Sequence, residues 1–349
     1  MSYTVKALQK TGPEAPFKVV DLERRDPRED DVVIDIKAAG ICHSDIHTIR
    51  NEWGEAHFPL CVGHEIAGVV AEVGSNVTKF KVGDRVGVGC LVNSCGECEQ
   101  CQAGMEQDCL RGNVGTYNSK DVDGTITQGG YSQKVTVNEN FVLTIPEGLD
   151  FDVAAPLLCA GITTYSPLAR WNVQPGQKVA ILGLGGLGHM GVQIAAAMGA
   201  EVTVLSRSLK KADEAAKLGA SRTLATTEEG FFAEHRGEFD MILNTISAPI
   251  DVDAYLSLLK PRGVMSVVGL PPEALNLHMG SLVGGGKVLT GNNIGGIPET
   301  QEMLDFCAQH NLGAKIEKIS IDQVDEYYDK VVAGEVHFRA VIDTATFSK

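Results

Sequence analysis

Hydrophobic and polar residues alternate over short stretches throughout the first 150 residues. The segments DVVIDIKAAG, IAGVVAEVG, DRVGVGC and YSQKVTVNE show this pattern and are separated by residues that favour turns. A period of two over four to eight residues, bounded by turn residues, is typical of strands with one buried face. This part of the chain is therefore predicted to form a β-rich, mostly antiparallel, barrel-like domain.

From about Gln177 the pattern changes to short β-branched runs that alternate with segments of helical period. The predicted strands are KVAIL, EVTVL, RTLA, FDMIL, GVMSVVG and KVLTGNN, and the helices between them include SLKKADEAAKLG and VDAYLSLLK. Such alternation is typical of an α/β fold with a parallel sheet and crossover helices. Six strands of this kind fit a doubly wound, nucleotide-binding sheet.

The chain after about Gly296 resembles neither pattern. Two helical stretches, PETQEMLDFCAQHNL and DQVDEYYDKVVAG, precede a strand in FRAVID. Because the six-stranded sheet is complete before this point, we expect the tail to pack back on the first domain. The predicted domains are residues 1–155, 156–295 and 296–349, with the first and third forming one discontinuous domain.

Composition narrows the class of protein. The chain has 349 residues and is 44% hydrophobic, which is sufficient for about two packed domains. A net charge of −15 argues against a nucleic-acid partner, because phosphate binding depends on clustered Lys and Arg. The longest apolar stretch, VAILGLGGLGHMGVQIAAAMGAEVTVL, contains six glycines and reads as strand, helix, strand rather than as a membrane span. The N-terminal MSYTVKALQK lacks the apolar region of a signal peptide, so we expect a cytoplasmic protein.

Four of the nine cysteines lie in the segment CGECEQCQAGMEQDC, residues 95–109. A disulfide framework is disfavoured by the odd number of cysteines and the expected reducing compartment. The spacing also departs from the bacterial iron–sulfur run, which ends in Cys-Pro. The pattern Cys-x-x-Cys-x-x-Cys followed by a fourth cysteine is typical of a closed, structural zinc site. The predicted ligands are Cys95, Cys98, Cys101 and Cys109, in a lobe at residues 90–112.

A glycine-rich turn follows the predicted strand KVAIL and opens a helical stretch. Glycines at such a turn allow the backbone to approach a pyrophosphate at the helix N-terminus, where free N–H groups favour anions. The alternative is a loop that merely needs flexibility, but the strand–turn–helix context and the five further strands favour a dinucleotide. The residues of the turn are Gly183, Gly185, Gly186, Leu187 and Gly188.

The next strand ends in VTVLSRS, where an NAD-selective enzyme usually carries an acid for the ribose 2′-hydroxyl. Ser206, Arg207 and Ser208 stand there instead, followed by Lys210 and Lys211. Hydroxyls and a guanidinium can bind a 2′-phosphate, whereas a carboxylate would repel it. The sequence therefore predicts NADP(H), with a solvated Arg207 as the alternative.

A third group of candidate ligands is dispersed along the chain in GICHSDIH, GHE and LLCAGITTY. Two thiolates and one imidazole, from Cys42, His64 and Cys159, would leave a fourth position open, as in a catalytic zinc site. Glu65 could fill that position at rest or support the ligands from behind. Alternatively, Cys159 is a small buried hydrophobic residue in an apolar run.

The GHE sequence, the four-cysteine lobe, GLGGLGHM and LLCAGITTYSPL together resemble the zinc-dependent medium-chain alcohol dehydrogenases. Within them, the chain is similar to the cinnamyl alcohol dehydrogenase-like branch of NADPH-dependent aldehyde reductases, from about residue 30 to the C-terminus. The resemblance implies a discontinuous GroES-like catalytic domain and a Rossmann domain. It also implies two zinc ions per chain, with Cys42, His64 and Cys159 holding the catalytic ion, Glu65 as an alternative ligand and the lobe cysteines holding the structural ion.

The same resemblance suggests further site residues. Ser44 matches the hydroxyl that contacts the substrate oxygen, and His47 matches the histidine that passes the proton to solvent by way of the nicotinamide ribose. Thr163 is expected at the cofactor, as is Arg339, which matches an arginine near the pyrophosphate. Trp53 is expected to line the substrate pocket, since such clefts have apolar and aromatic walls.

The resemblance implies hydride transfer between NADPH and an aldehyde, with a primary alcohol as the reverse substrate. The alternatives are an NAD-preferring zinc polyol dehydrogenase and a non-enzymatic NADP-binding scaffold. The expected partners are a small aromatic or medium-chain aliphatic substrate and further copies of the chain. A homodimer or larger homo-oligomer is expected, with KVLTGNN pairing across a two-fold axis.

Overall fold

The structure is a computed structural model that describes residues 3–271 and 273–348, so residues 1, 2, 272 and 349 of the predicted domains lie outside these ranges. Two compact units are present. The first comprises Met1–Cys159 with Gly295–Lys349, and the second comprises Ala160–Ile294. The sequence placed these boundaries after residues 155 and 295. The first boundary falls later because a 3₁₀ turn over Ala155–Leu158 packs with the first unit, whereas a helix starts at Ala160.

The first unit begins with nine strands and three short helices. The strands are β1 (Tyr3–Gln9), β2 (Lys18–Arg24), β3 (Asp31–Ile41), β4 (Ile66–Val73), β5 (Arg85–Val88), β6 (Leu91–Asn93), β7 (Val114–Gly115), β8 (Lys134–Asn138) and β9 (Leu143–Thr144). The helices are α1 (His43–Ile49), α2 (Glu99–Gln102) and α3 (Phe151–Ala154). The strand β3 is at the centre, because it pairs antiparallel with both β4 and β8.

The second unit is a six-stranded parallel sheet with helices between its strands. Its helices are α4 (Ala160–Arg170), α5 (Gly188–Ala197), α6 (Ala212–Lys217), α7 (Phe231–Glu234), α8 (Val252–Ser257) and α9 (Gly280–Val283). Its strands are β10 (Lys178–Leu182), β11 (Glu201–Ser206), β12 (Arg222–Ala225), β13 (Phe239–Asn244), β14 (Leu259–Val267) and β15 (Val288–Gly291). The spatial order β12-β11-β10-β13-β14-β15 is that of a doubly wound dinucleotide-binding sheet, as predicted.

The C-terminal segment returns to the first unit. It contains α10 (Ile297–Gln309), β16 (Ile316–Ile319), α11 (Val324–Ala333) and β17 (Arg339–Asp343). The strand β17 pairs antiparallel with the end of β3, and β16 then adds parallel to β17. The large sheet of this unit therefore has the order β16-β17-β3-β4-β5-β9 and is mostly antiparallel.

Each unit has its own apolar core. In the second unit, Leu182, Leu205 and Ile242 from neighbouring strands pack with Phe239 and Leu256. In the first, small residues of β3 and β4 pack with Val341 of β17. Among the described residues, no helix is both long enough and apolar enough to cross a membrane.

Candidate active site and cofactor site

Three separate segments of the first unit bring the predicted catalytic zinc ligands together. Cys42 follows the last residue of β3 and stands at the N-terminus of α1. His64 directly precedes Glu65 and β4, and the backbone N–H of Gly40 donates to the Glu65 carbonyl at 2.9 Å. Cys159 ends the 3₁₀ turn that closes the unit. All four side chains are buried.

The donor atoms of this group have the separations that zinc requires. One ligand atom from each of four residues lies within 4.8 Å of the others, and the two sulfur atoms of Cys42 and Cys159 are 3.9 Å apart. Two thiolates on a tetrahedral zinc at about 2.3 Å would be about 3.8 Å apart, whereas a disulfide would need about 2.05 Å. Both cysteines are free thiols. The donor set, which is Cys42, His64, Glu65 and Cys159, therefore fits a zinc ion.

Glu65 faces the donor group with one oxygen paired and the other unpaired. Arg339 of β17 donates to Oε1 of Glu65, while Oε2 has no hydrogen-bond partner within the described part of the chain. Burial raises the pKa of Glu65 to about 7, against the opposing charge of Arg339. A Cβ atom on Gly40 would lie 1.9 Å from Oε2, so a larger residue there would displace the carboxylate. The unpaired oxygen suits an alternative zinc ligand.

Asp45 supports two of the ligands and was not identified from the sequence. Its Oδ1 lies 3.1 Å from Nδ1 of His64, and its Oδ2 accepts hydrogen bonds at 2.9 Å from the Cys42 backbone and the Tyr131 hydroxyl. A carboxylate on Nδ1 leaves Nε2 as the histidine atom available to a metal. The sequence contained one signal for this role, because Asp45 stands three residues after Cys42, where its side chain can accept a hydrogen bond from the Cys42 backbone at the start of α1.

The charges of the donor group influence one another. Contact with Cys159 lowers the pKa of the Cys42 thiol, against the effect of burial. Burial lowers the pKa of His64, but the negative charges of Cys90 and Asp45 outweigh it and raise that pKa overall. The environment therefore favours a thiolate at Cys42, the form that binds metal.

Three cysteines, Cys61, Cys90 and Cys307, lie outside both predicted ligand groups, and the sequence alone indicates only packing roles for them; the structure corrects this for Cys90. Cys61 and Cys307 are fully buried. Cys90 is half-buried, and contact with Cys159 is the main cause of its lowered pKa. A Cβ atom on Gly89 would lie 2.8 Å from the Leu158 carbonyl oxygen, so the backbones of the two segments are in close contact.

The residues predicted to carry protons, Ser44 and His47, both lie on α1. The Ser44 hydroxyl is 3.5 Å from the Cys42 sulfur. His47 donates from Nδ1 to the carboxylate of Glu52, which the sequence did not reveal as a partner. Trp53 stacks on the His47 ring, with centroids 4.8 Å apart and planes inclined by 27°. The indole is 52% exposed, and its predicted place in a substrate pocket stays a prediction.

The lobe brings its four cysteines into a second donor group. The sulfur atoms of Cys98 and Cys101 are 3.5 Å apart, and those of Cys95 and Cys101 are 3.9 Å apart. Hydrogen bonds from the backbone N–H groups of Cys101 and Leu110 lower the pKa of the Cys98 thiol to about 6. The pairing of β6 with β7 closes the base of the lobe. The group fits a closed tetrahedral thiolate site, and its members are Cys95, Cys98, Cys101 and Cys109.

The glycine turn of the second unit has the geometry of a phosphate cradle. Gly183 has φ of +94°, a conformation that residues with a Cβ rarely adopt. A Cβ atom on Gly188 would lie only 2.1 Å from the Gly183 carbonyl oxygen, whereas one on Gly185 would meet nothing within 4 Å. Leu187 precedes the N-terminal residue of α5. The turn is thus closed on its protein side and open beside Gly185, as pyrophosphate binding requires.

The end of β11 carries the residues predicted to bind the 2′-phosphate. Arg207 and Ser208 are exposed, and no acid stands among residues 206–211. The Arg207 backbone is held by the Thr227 hydroxyl, which donates to its carbonyl at 3.0 Å. Lys211 reaches the glycine turn, with Nζ 3.4 Å from the Leu184 carbonyl oxygen. Thr163 is buried on α4, and its contact with the cofactor stays a prediction.

Comparison with known proteins identifies the family. The family profile "Alcohol dehydrogenase GroES-like domain" matches residues 28–147, and the profile "Zinc-binding dehydrogenase" matches residues 186–309. The "NADP-dependent alcohol dehydrogenase C 1" of Mycolicibacterium smegmatis is 56% identical over 98% of this chain and 99% of that protein. The chain belongs to the zinc-dependent medium-chain alcohol dehydrogenases.

Solved structures of this alcohol dehydrogenase family agree with the fold. A cinnamyl alcohol dehydrogenase from Sorghum bicolor matches with a TM-score of 0.95 and 41% identity over 98% of each chain. A cinnamyl alcohol dehydrogenase-type protein from Helicobacter pylori, complexed with NADP(H), matches with a TM-score of 0.93 and 42% identity over 99% of each chain. The predicted family, the GroES-like and Rossmann fold and the enzyme class are thereby confirmed. The individual site residues stay predictions.

Proposed function

We propose that this alcohol dehydrogenase uses NADPH to reduce aldehydes to primary alcohols, with aromatic or medium-chain aliphatic substrates. One observation carries the proposal. Cys42, His64 and Cys159 are buried together, and the Ser44 hydroxyl lies 3.5 Å from the Cys42 sulfur atom. Such an arrangement offers metal ligands and a proton donor at one place. The names of the relatives, which refer to NADP and to cinnamyl alcohol, support the cofactor and the aromatic substrate class.

Two zinc ions per chain fit the two donor groups. When bound, zinc at the open site supplies a Lewis acid that polarises the substrate oxygen, and the nicotinamide supplies the hydride. The lobe cysteines hold the second ion and contribute to folding rather than to chemistry. Glu65 offers its unpaired oxygen to the open site while Arg339 balances its buried charge.

The proton for the product alcohol comes from residues of α1. Ser44 gives a proton to the substrate oxygen, because a hydroxyl can donate and accept at the same time. His47 exchanges the proton with solvent, since an imidazole can both accept and donate a proton and this side chain is only half-buried. Glu52 holds His47 in the tautomer with the proton on Nδ1.

The preference for NADPH rests on the end of β11. Arg207 is exposed beside Ser206 and Ser208, and a guanidinium with neighbouring hydroxyls can bind a 2′-phosphate. A carboxylate, which the NAD-preferring polyol dehydrogenase alternative requires, is missing at this point. Reduction is the direction that NADPH favours in this proposal.

Steady-state turnover of a panel of aldehydes and alcohols with NADPH, NADH, NADP and NAD tests the proposal. We expect the highest kcat/KM with NADPH and an aromatic or medium-chain aliphatic aldehyde. Highest kcat/KM with NAD and a polyol would overturn it in favour of the polyol dehydrogenase. Stoichiometric NADPH binding with no turnover of any substrate would favour the non-enzymatic scaffold.

We also propose that the protein forms a cytoplasmic homodimer through β15. This strand ends its sheet and pairs on one side only, with β14. Close to it in sequence, Leu270, Met279 and Val283 are each more than 60% exposed and offer apolar surface for an interface. Sedimentation equilibrium should give twice the chain mass, and Val283→Asp should reduce it to the mass of one chain.

A further inference from the structure

Helix α1 carries two histidines one turn apart that belong to neither donor group. His43 and His47 are separated by four residues, and their ring centroids lie 5.7 Å apart with planes inclined by 39°. His43 is exposed and His47 is half-buried. Histidines at positions i and i+4 of a helix share one face and are a recurrent pair of metal ligands.

The separation of the two rings is close to that of a shared metal ion. With metal–nitrogen distances of about 2.1 Å and about 1.2 Å from nitrogen to ring centre, the ring centroids of two imidazoles lie about 4.7–5.4 Å apart for ligand angles of 90–109°. The observed 5.7 Å exceeds this range by about 0.3 Å. A small rotation of the exposed His43 side chain within its rotamer well is sufficient to close the gap.

Two neighbouring side chains, those of Glu52 and Trp53, favour metal binding by His47. The Glu52 carboxylate accepts the Nδ1 proton, which leaves the lone pair on Nε2. Carboxylates in this position orient metal-binding histidines and raise their basicity. Trp53 stacks on the His47 ring and restricts its rotation.

We propose that His43 and His47 form a third metal site, at the surface, for a divalent transition-metal ion such as Ni²⁺ or Zn²⁺, with water completing the coordination. Imidazole ligands suit these ions, and the Glu52 carboxylate offsets part of their charge. A metal on Nε2 of His47 removes the lone pair that exchanges protons with solvent. An excess of metal therefore inhibits aldehyde reduction, and this second part rests on the proposed function.

Nickel tests the site because it is distinguishable from the resident zinc. The purified zinc-loaded protein is dialysed against Ni²⁺, and both metals are counted by mass spectrometry. We expect one nickel per chain with the zinc content unchanged. His43→Gln and His47→Gln should each lose the nickel, and Glu52→Gln should weaken its binding about tenfold. The control His310→Gln, whose ring packs on Phe306 in α10, should keep it.

The stacked indole gives a second readout that needs no activity. The chain has two tryptophans, so Trp171→Phe leaves Trp53 as the only indole emitter. Ni²⁺ bound at His47 lies within a few ångströms of that ring and should quench its fluorescence. The quenching should saturate at the same nickel concentration as the uptake and disappear in the His43→Gln background.

Several outcomes would overturn the site. Nickel retained by His43→Gln, nickel uptake matched by zinc loss, or no nickel uptake would each do so. Nickel bound at one per chain without slower aldehyde reduction would overturn only the inhibition. If no aldehyde is reduced at all, the proposed function fails while the nickel count still decides whether the site exists.

Discussion

Two glycines of the same turn are predicted to respond in opposite ways to alanine. At Gly188, the added Cβ would lie 2.1 Å from the Gly183 carbonyl oxygen, about 1 Å inside the ordinary contact distance. The helix α5 must therefore move away from the turn, and overpacking of this kind costs about 1–3 kcal/mol of unfolding free energy. At Gly185, the added Cβ meets nothing within 4 Å and the backbone does not need a positive φ.

Gly185→Ala should accordingly leave the unfolding free energy unchanged, or raise it by about 0.4–1 kcal/mol through the unfolded state. The same methyl group occupies the space where the pyrophosphate approaches the backbone, so NADPH should bind at least tenfold more weakly. Thermal unfolding without cofactor measures the first effect, and fluorescence titration with NADPH measures the second. Each kcal/mol corresponds to about 2–4 °C in Tm for a unit of this size, so Gly188→Ala should melt several degrees lower.

The pair of variants separates the two roles because they lie three residues apart in one turn. Equal destabilisation by both substitutions would show that the space beside Gly185 is not free to accept a methyl group. Wild-type NADPH affinity in Gly185→Ala would show that the pyrophosphate does not lie against it. Either result would refute the cradle geometry.

Four further predictions concern the rest of the chain. Cys159→Ala should abolish turnover and lose one zinc with little change in Tm, whereas Cys98→Ser should lose the other zinc and lower the Tm. Metal analysis counts the zinc and calorimetry gives the Tm. A wild-type protein with a single zinc that Cys98→Ser still binds would contradict the two sites. Arg207→Asp should shift the NADPH-to-NADH ratio of kcat/KM by about 2–4 kcal/mol, a factor of tens to hundreds, while the exposed control Lys217→Asp should not. Ser44→Ala should lose most of the roughly 10²- to 10⁴-fold in kcat/KM that positioned proton transfer supplies. His47→Ala should lose less, and added imidazole should restore part of its rate. Near-normal turnover of Ser44→Ala with full zinc occupancy would refute this proton path. The pKa of Glu238 is lowered to about 2, because hydrogen bonds from Arg222 and His235 outweigh the effect of burial. The carboxylate therefore stabilises the fold above its unfolded pKa of about 4.5, and this stabilisation is lost as the pH falls towards 2. In urea unfolding, Glu238→Gln should cost about 1 kcal/mol at pH 7 and less below pH 5, and a cost independent of pH would contradict the ion pair.

The regular parts of the fold could be predicted from the sequence because their patterns are local. The six strands of the second unit are β-branched runs bounded by turns, and all six occur where predicted. By contrast, none of the strands named from the sequence corresponds to β1, β2, β6, β7, β9 or β16. β16 is the four-residue stretch IEKI, in which a strand and a helical turn have the same pattern, and only its pairing with β17 determines the choice.

The ligands could be predicted better than the residues that support them. Cysteine and histidine at fixed spacings are rare enough to indicate a metal, and both predicted groups are assembled in the structure. Asp45, Tyr131 and Glu52 belong to common residue types whose importance depends on what they contact across the fold. The same holds for Cys90, which an apolar context alone could not place beside Cys159.

The pairing of Glu65 with Arg339 joins residues 274 positions apart in the chain. At about 5–20 residues per second on a ribosome, this separation corresponds to about 14–55 s of synthesis. Cys42 and His64 are already present when that interval begins and Cys159 is added within it, yet the Glu65 carboxylate lacks the cation that balances its charge until Arg339 is made. Because a buried unpaired charge is costly, we expect the first unit to reach its final packing only after β17 has joined β3. We therefore expect assembly of the metal centre to depend on the emergence of β17.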